Sequence, residues 1–332
     1  MAVNVALLGA GRIGKVHAKA VGATDGAKLV AIADAFEDAA KALAQTCEAR
    51  VSTIDAIASS EDVNAVIICT PTTTHADLIE QFARAGKAVF CEKPIDLSLE
   101  RTKSCLQTVQ DCGAVLMLGF NRRFDPHFQA VRGAIDEGRV GSVEMVQITS
   151  RDPGAPPPSY IQSSGGIFRD MTVHDFDMAR FLLGEEVTTV YATASVLVDP
   201  EIGKLGDYDS ATVVLTTASG KQCSISNSRR ATYGYDQRIE VHGSRGAVVA
   251  ENQRPVAIEV ATEDGFVRPP LHDFFMTRYT EAYAAEIAAF VHAIETGATP
   301  HPTGEDGLKA LILAEAALKS VAERRSVGVD EI

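Results

Sequence analysis

The stretch Gly9-Ala10-Gly11-Arg12-Ile13-Gly14 directly follows the apolar run Val3–Leu8 near the start of the chain. In a strand–turn–helix unit the first glycine permits a tight turn, the second lets the backbone approach a pyrophosphate, and the third lets helix and strand pack closely. A helix that begins here presents free N–H groups to phosphates. The stretch predicts a dinucleotide-binding turn whose six residues contact the cofactor, although glycine-rich turns also have purely structural uses.

Asp34 ends the second apolar run, roughly 20 residues beyond the last of these glycines. That separation suits an acid that accepts hydrogen bonds from the adenosine ribose hydroxyls. A carboxylate at this position repels a 2′-phosphate, and the following Ala35 and Phe36 offer no guanidinium to bind one. The pattern favours NAD over NADP, with a helix-capping aspartate beside a structural turn as the alternative.

Residues 1–120 alternate continuous apolar runs with helix-like stretches. Continuous runs are typical of strands buried on both faces of a parallel sheet, and the helices between them imply right-handed crossovers. The sequence therefore predicts an α/β fold in which residues 1–120 form an N-terminal Rossmann domain with a doubly wound parallel sheet. The predicted strands are Val3–Leu8, Leu29–Ala33, a weaker one near Val51, Ala65–Cys69, Ala88–Cys91 and Val115–Leu118.

Residues 121–332 follow a different pattern, in which apolar runs are separated by turn signals such as Ala218-Ser219-Gly220. We expect a C-terminal α+β domain with a mostly antiparallel open sheet, whose last strand covers Val256–Thr262. The proline-rich residues 153–158 predict a loop. Two helices, about 279–296 and 304–325, close the chain, and Thr303 with Asp306 predicts a cap for the second.

The chain carries 31 basic and 44 acidic residues, which gives a net charge of −13. Such a surface repels nucleic acid and anionic lipid unless a local basic patch overrides it. No apolar run approaches the ~20 residues that span a bilayer, and no signal-peptide pattern is present. The six cysteines include no CxxC pair, and the eight histidines have no HxxxH or HxH spacing. We expect a cytoplasmic protein with reduced thiols, no metal site, and no nucleic-acid or membrane partner.

Two polar segments follow strands of the predicted parallel sheet, whose carboxyl ends are where ligands bind. Thr70, Pro71 and His75 come after the fourth strand, where they contact a nicotinamide ribose or begin a helix. Glu92 and Lys93 come after the fifth strand. In one interpretation the ammonium of Lys93 stabilises an alkoxide. In the other, Lys93 is a surface lysine next to a proline. We expect all five residues to contribute to the cofactor site.

The segment Gly165–Asp175 of the second half places Asp170 and His174 one helical turn apart. Histidine ordinarily titrates near neutral pH and is the usual proton acceptor, and a carboxylate one turn earlier orients it or binds the same substrate. The alternatives are a helix cap for Asp170 and a partly buried helix position for His174. Asp175 and Asp177 are interpreted as surface charges.

Taken together, these motifs resemble the glucose–fructose oxidoreductase/inositol dehydrogenase/rhizopine-catabolism oxidoreductase family over nearly the whole chain. Within it, Gly119–Asp125 (GFNRRFD) and Tyr233–Asp236 (YGYD) are most similar to the branch of bacterial myo-inositol 2-dehydrogenases. The resemblance implies NAD-dependent oxidation of myo-inositol, a small polyol, to 2-keto-myo-inositol. It also implies a homotetramer built by pairing sheets.

The resemblance also assigns roles by matching motif. Lys93 is expected to contact the reacting carbinol oxygen, His174 to act as the general base, and Asp170 to bind substrate and support that histidine. Further residues expected to line the substrate pocket are Asn121, Arg122, Asp152 and Tyr235.

Three alternatives remain open from the sequence. The substrate is another inositol isomer, an amino-inositol or an aldose; the protein holds NAD without turnover, as a sensor; or it is a hydrolase that uses bound NAD transiently. A proton acceptor such as His174 argues against mere binding, which needs none.

Overall fold

The computed structural model describes residues 2–332, which divide into two compact units. Unit 1 comprises the chain up to Asp125 together with Thr280–Leu311. Unit 2 comprises Pro126–Tyr279 and Ile312–Ile332. The sequence prediction used one boundary near residue 120, whereas the chain crosses between the units three times.

Unit 1 contains a parallel sheet in which every predicted strand is present. Within the described residues the order is β3-β2-β1-β4-β5-β6, the doubly wound Rossmann arrangement. The apolar runs are continuous because both faces are covered, and Val66, Ile67 and Ile68 are each 0% exposed. The elements are β1 (Val3–Leu8), α1 (Arg12–Gly22), β2 (Ala27–Ala33), α2 (Glu37–Cys47), β3 (Arg50–Val51), α3 (Ile54–Ala58), β4 (Ala65–Ile68), α4 (His75–Arg84), β5 (Ala88–Cys91), α5 (Leu99–Asp111) and β6 (Leu116–Leu118).

The rest of the chain forms an α+β unit and the closing helices. Its elements are α6 (Pro126–Asp136), β7 (Val143–Arg151), α7 (Pro158–Ser164), α8 (Val173–Leu183), β8 (Val187–Ser195), α9 (Pro200–Lys204), β9 (Ser210–Thr217), β10 (Gln222–Ser228), β11 (Asp236–Gly243), β12 (Gly246–Ala250), β13 (Val260–Thr262), β14 (Gly265–Val267), α10 (Phe275–Arg278), α11 (Thr280–Thr296), α12 (Gly304–Glu323) and β15 (Val327–Gly328).

The large sheet of unit 2 confirms the prediction of a mostly antiparallel sheet. In the described chain its order is β12-β11-β7-β10-β9-β8-β15. The pair β7 and β10 is parallel, and the other neighbours are antiparallel. Helix α8 packs against β7 and β10 on one face of this sheet. The predicted Asp170–His174 segment leads into this helix, with His174 in its first turn.

Helix α11 belongs to unit 1 although it lies far along the chain. It packs against α1. Its Tyr283 ring lies 5.5 Å from the ring of His17, and its Phe290 ring lies 5.8 Å from that of Phe90. Burial of these rings is the physical reason that α11 belongs to unit 1 although it lies beyond residue 120.

Three local expectations have clear outcomes. The cap of α12 is confirmed, because Thr303 Oγ1 accepts from the backbone of Asp306 at 3.2 Å and Asp306 Oδ2 accepts from the backbone of Thr303 at 2.8 Å. The strand predicted over 256–262 is shortened to β13, because only Val260–Thr262 pair with a neighbouring strand, β14. The loop predicted over 153–158 ends one residue early, because Pro158 occupies the first turn of α7.

Two whole-chain expectations concern thiols and membrane segments. Cys69, Cys91, Cys105 and Cys223 are buried free thiols, whereas Cys112 is exposed. Across residues 2–332 no helix combines the length and hydropathy that crossing a bilayer requires.

Candidate active site

The glycine-rich turn between β1 and α1 has the geometry of a phosphate cradle. Gly9 has φ of +98°, and a Cβ on it would lie 2.6 Å from the carbonyl oxygen of Cys69. A Cβ on Gly14 would lie 2.0 Å from the carbonyl oxygen of Gly9. A Cβ on Gly11, by contrast, would meet nothing within 4 Å. The packed side of the turn thus admits only glycine, and the open side at the start of α1 leaves room for a pyrophosphate.

Asp34 lies at the end of β2 and is tied to the glycine-rich turn. Its Oδ2 accepts from the backbone N–H of Ala10 at 2.6 Å, and its Oδ1 accepts from that of Phe36 at 2.7 Å. Each carboxylate oxygen keeps a second lone pair that can accept from a ribose hydroxyl. The Phe36 side chain is 78% exposed and brings no positive charge. The local chemistry fits NAD.

His75 ties the loops after β4 and β5 together. Its Nδ1 lies 2.7 Å from the carbonyl oxygen of Pro94, and its Nε2 lies 2.8 Å from that of Thr70. The ring is buried, and burial lowers the pKa of His75 although both carbonyls favour its protonated form. Of the two threonines that can cap the following helix, Thr73 and Thr74, the structure places Thr74 directly before α4, but its hydroxyl donates to the carbonyl of Pro71 instead of capping the helix. Thr70 and Pro71 thus lie in a braced loop.

Lys93 is half-buried and directly follows the carboxyl end of β5. The Lys93–Pro94 peptide bond is cis. The preceding residue, Glu92, donates its backbone N–H to the carbonyl of Ile68 at 3.0 Å, and its Oε1 accepts from His17 Nε2 at 2.6 Å. The backbone that carries Lys93 is therefore anchored on β4 and α1.

Asn121 and Arg122 lie in a short 3-10 turn, Asn121–Phe124, after β6, and both side chains are buried. The next residue, Arg123, donates to Asp306 Oδ1 at 3.0 Å, which fixes the turn against the start of α12. The predicted unit 1 residues all follow carboxyl ends of parallel strands, so the fold gathers them along one edge of the sheet.

The helical segment of unit 2 begins at a braced double glycine. The backbone N–H of Ile167 donates to Asp207 Oδ1 at 2.9 Å, and a Cβ on Gly166 would lie 2.7 Å from that same oxygen. The fully buried Arg229 lies 3.3 Å from Asp207 Oδ2 through its Nη2. A π-helical turn, Phe168–Thr172, then leads directly into α8. Such turns are frequent at functional sites.

Asp170 and His174 are both half-buried, Asp170 in the π-helical turn and His174 in the first turn of α8. The hydroxyl of Tyr160 donates to Asp170 Oδ1 at 2.8 Å, so α7 helps to orient the carboxylate.

The interpretation of Asp175 and Asp177 as surface charges is wrong. Both are buried, at 0% and 1% exposure, because α8 is enclosed on most sides. Asp175 Oδ2 accepts from the side-chain amide of Asn227 at 2.7 Å, and Asn227 Oδ1 accepts from the hydroxyl of Thr172 at 2.7 Å. One amide on β10 thus holds residues on both sides of His174.

Asp152 and Tyr235 lie at one edge of the unit 2 sheet. The register pairs Arg151 with Asp236, so the end of β7 adjoins the start of β11. Asp152 is partly exposed and donates its backbone N–H to the carbonyl of Ser228 at 2.9 Å. Tyr235 is 5% exposed, with its ring edge-on to those of Phe274 and Tyr279. Its side chain is therefore set in an aromatic cluster.

Comparison with known proteins places this geometry in a family. The family model described as "Oxidoreductase family, NAD-binding Rossmann fold" matches residues 3–120, and the "GFO/IDH/MocA C-terminal domain" matches residues 128–249. The inositol 2-dehydrogenase of Rhizobium meliloti is 70% identical over 99% of this chain and 100% of its own.

This chain belongs to the GFO/IDH/MocA oxidoreductase family. Its cofactor is NAD, in agreement with the open glycine turn and Asp34. The crystal structure of a myo-inositol dehydrogenase from Corynebacterium glutamicum is 41% identical, with a TM-score of 0.95 and coverage of 99% of both chains. A scyllo-inositol dehydrogenase from Lactobacillus casei, solved with NAD(H) and scyllo-inositol, is 28% identical with a TM-score of 0.92, covering 99% of this chain and 100% of that one.

Several polar residues of this GFO/IDH/MocA oxidoreductase were missed by the sequence reasoning. Tyr160, Asn227 and Arg229 brace the Asp170–His174 segment, and Glu286 of α11 is fully buried near Glu92. A polar residue at a buried position of a helix or strand was the available signal for Asn227 and Glu286, because such groups are rare without a partner.

Proposed function

We propose that this protein is an NAD-dependent inositol 2-dehydrogenase that oxidises myo-inositol to 2-keto-myo-inositol. The observation that carries the proposal is the 70% identity, over essentially the full length of both chains, to the inositol 2-dehydrogenase of Rhizobium meliloti. The neutral polyol also suits a chain of net charge −13, because such a substrate needs no electrostatic steering.

In the proposed chemistry, His174 and Lys93 have separate roles at the reacting hydroxyl. When bound, NAD supplies the hydride acceptor at its nicotinamide ring. His174 takes the proton of the reacting hydroxyl, and Asp170 binds substrate and orients that imidazole. Lys93 donates to the carbinol oxygen and stabilises its negative charge as the carbonyl forms. The anchored backbone around Lys93 and the hydrogen bonds that hold the helical segment support this assignment, because catalytic groups accelerate a reaction only when they are held in the right position.

The remaining pocket residues are assigned to the substrate hydroxyls. We propose that Asn121, Arg122 and Asp152 form hydrogen bonds with the ring hydroxyls and that Tyr235 contacts the inositol pocket. Thr70, Pro71 and His75 belong to the cofactor side, with His75 acting through the two loops that it joins.

A second candidate keeps the cofactor and changes the substrate. The Lactobacillus casei relative that was solved with scyllo-inositol favours a different inositol isomer as this alternative; an amino-inositol or an aldose belongs to the same class. The discriminating experiment offers NAD and a panel of these compounds to the purified enzyme and follows absorbance of NADH. Fastest turnover of myo-inositol supports the proposal, and turnover confined to another polyol supports the second candidate. No NADH with any polyol contradicts both.

We also propose a homotetramer built by pairing sheets. The strand registers place Tyr191, Val214 and Val249 in one row across the outer face of the unit 2 sheet, with Met145 on the same face. Their exposures of 42%, 37%, 52% and 55% are large for such side chains. Light scattering is expected to give four times the chain mass, and Tyr191→Asp to lower it. A monomeric wild-type protein contradicts the proposal.

A further inference from the structure

Three titratable side chains of unit 1 form a buried cluster that the proposed chemistry does not use. His17 comes from α1, Glu92 follows β5, and Glu286 comes from α11. One nitrogen or oxygen of each lies within 4.8 Å of those of the other two. His17 and Glu286 are both 0% exposed, and the Glu92 side chain is 13% exposed.

Glu92 already has one donor in this cluster. His17 Nε2 lies 2.6 Å from Glu92 Oε1. A carboxylate only accepts, so Nε2 carries the hydrogen in this pair. The His17 ring is held edge-on between the rings of Phe90 and Tyr283, at 5.1 and 5.5 Å. The position of Oε1 is thereby fixed from the side of α1.

Glu286 differs, because neither of its carboxyl oxygens has a hydrogen-bond partner among the described residues. An ionised carboxylate in that position is far more costly than a neutral acid. Burial raises the pKa of Glu286, and the nearby charge of Glu92 raises it further. The Cys69 thiol, just after β4, lies near the same acids; burial, and then these neighbouring charges, raise its pKa, so it stays neutral and adds no further negative charge.

One carboxyl oxygen of Glu286 lies within 4.8 Å of one of Glu92, so a rotation of the Glu286 side chain is enough to let a neutral acid donate to the carboxylate. Two carboxyl groups that approach closely share one proton, with the neutral one donating to the ionised one. The backbone of Gly119 also packs against the Glu92 carboxyl group, since a Cβ on Gly119 would lie 3.2 Å from Oε2 and 3.3 Å from Oε1. Within the cluster, Glu92 lies between the imidazole of His17 and the carboxyl group of Glu286 as polar neighbours.

We propose that Glu286 is a neutral carboxylic acid that shares its proton with Glu92 and thereby acts as a positioning residue for Lys93. Glu92 directly precedes Lys93, so the orientation of the Glu92 side chain constrains the backbone that presents the ammonium. The inference rests on the proposed function for the role of Lys93. It goes beyond that function by assigning a role to α11, which reaches the site from the far end of the chain.

The competing explanation of the cluster is a bound divalent cation, for which an imidazole and two carboxylates are suitable ligands. The two explanations need opposite states of Glu286. A cation requires the ionised carboxylate, whereas the shared proton requires the neutral acid. Glutamine can replace a neutral hydrogen-bond donor but not an anionic ligand, so Glu286→Gln separates them.

The test compares wild type, Glu286→Gln and Glu286→Leu, with Glu281→Gln on the exposed side of α11 as the matched control. Infrared difference spectra at neutral pH are expected to show a carboxylic-acid carbonyl band that is present in wild type and Glu281→Gln and absent in Glu286→Gln. Turnover of the best polyol substrate is expected to stay within about threefold in Glu286→Gln and to fall about tenfold or more in Glu286→Leu, with a changed pH profile. NADH affinity is expected to be unchanged in both.

Three results would overturn the proposal: no acid band at neutral pH, equal losses in Glu286→Gln and Glu286→Leu, or a stoichiometric metal in the purified wild type that Glu286→Gln lacks. The infrared comparison of wild type with Glu286→Gln needs no substrate, and it tests the proposal even if Glu286→Leu fails to fold. Lack of turnover of every polyol by wild type would contradict the proposed function, and the acid band would then decide the protonation of Glu286 separately.

Discussion

The side-chain amide of Asn227 donates to Asp175 Oδ2 at 2.7 Å, and both residues are buried. The same amide accepts from Thr172, so strand β10 holds the start of α8 on both sides of His174. Removing the amide takes a donor from a buried carboxylate and loosens the helix start.

Asn227→Ala is therefore expected to lower the free energy of unfolding by about 1–3 kcal/mol and to reduce kcat. Chemical denaturation and steady-state kinetics measure the two effects. Ser104→Ala, at an exposed position of α5, is the control and is expected to change neither. Unaltered stability and kcat in Asn227→Ala would show that the amide does not hold the helix.

The proposed catalytic groups make a separate prediction. Lys93→Ala and His174→Ala are each expected to lower kcat by about 10²- to 10⁴-fold, because each removes a group that handles the proton or charge of the reacting oxygen. Titration of NADH fluorescence is expected to give wild-type cofactor affinity, and the chain has no tryptophan to interfere. Lys103→Ala and His292→Ala, at exposed positions, serve as controls. Wild-type kcat in either active-site variant would rule out its assignment.

Cofactor choice is predicted to depend on Asp34. Asp34→Ser removes the ribose acceptor and the charge that repels a 2′-phosphate, so KM for NAD is expected to rise and use of NADP to improve. The control is Asp38→Ser, which removes a nearby exposed charge in α2. Steady-state kinetics with both cofactors measure the ratio of kcat/KM for NAD to that for NADP. An unchanged preference for NAD in Asp34→Ser would mean that this carboxylate does not recognise the ribose.

Stability is predicted to depend on pH through Asp209. Its carboxylate accepts from the backbone N–H groups of Leu197, Val198 and Asp199 at 2.8, 2.8 and 3.0 Å. Burial opposes ionisation, but these donors outweigh it and hold the pKa of Asp209 below its ordinary value. The stabilisation is thus present above the ordinary pKa of aspartate and lost as pH falls through the lowered one.

Asp209→Asn is expected to be less stable than wild type by about 2 kcal/mol at neutral pH, and the gap is expected to narrow below about pH 4. Urea denaturation across this range measures it. The exposed Asp25→Asn provides the matched charge change. A gap that is constant with pH would mean that ionisation of Asp209 contributes nothing.

How far the sequence predicted the structure depended on how local each signal was. The strands of unit 1 were predicted because burial on both faces leaves a continuous apolar run, and the glycine turn because its steric demands lie within six residues. The strand at 256–262 was overpredicted, because only its last three residues find a partner strand, and the β-branched residues before them do not by themselves form one.

The missed features of the site depend on contacts between distant parts of the chain. Asp175 resembles a surface charge in the sequence, and its partner Asn227 lies on a strand that arrives much later. The cluster of Glu286 with His17 and Glu92 joins three elements from both ends of unit 1. Neither the periodicity nor the spacing of residues in the sequence indicates that these side chains lie together, because only tertiary packing brings them into contact.

The most direct measurement of the central claim uses myo-inositol deuterated at carbon 2, with mass analysis of the reduced cofactor. We predict that the NADH formed carries the deuterium and that turnover of this substrate gives 2-keto-myo-inositol. Reduced cofactor without deuterium, or no reduced cofactor at all from myo-inositol, would contradict the proposal that this enzyme is an inositol 2-dehydrogenase.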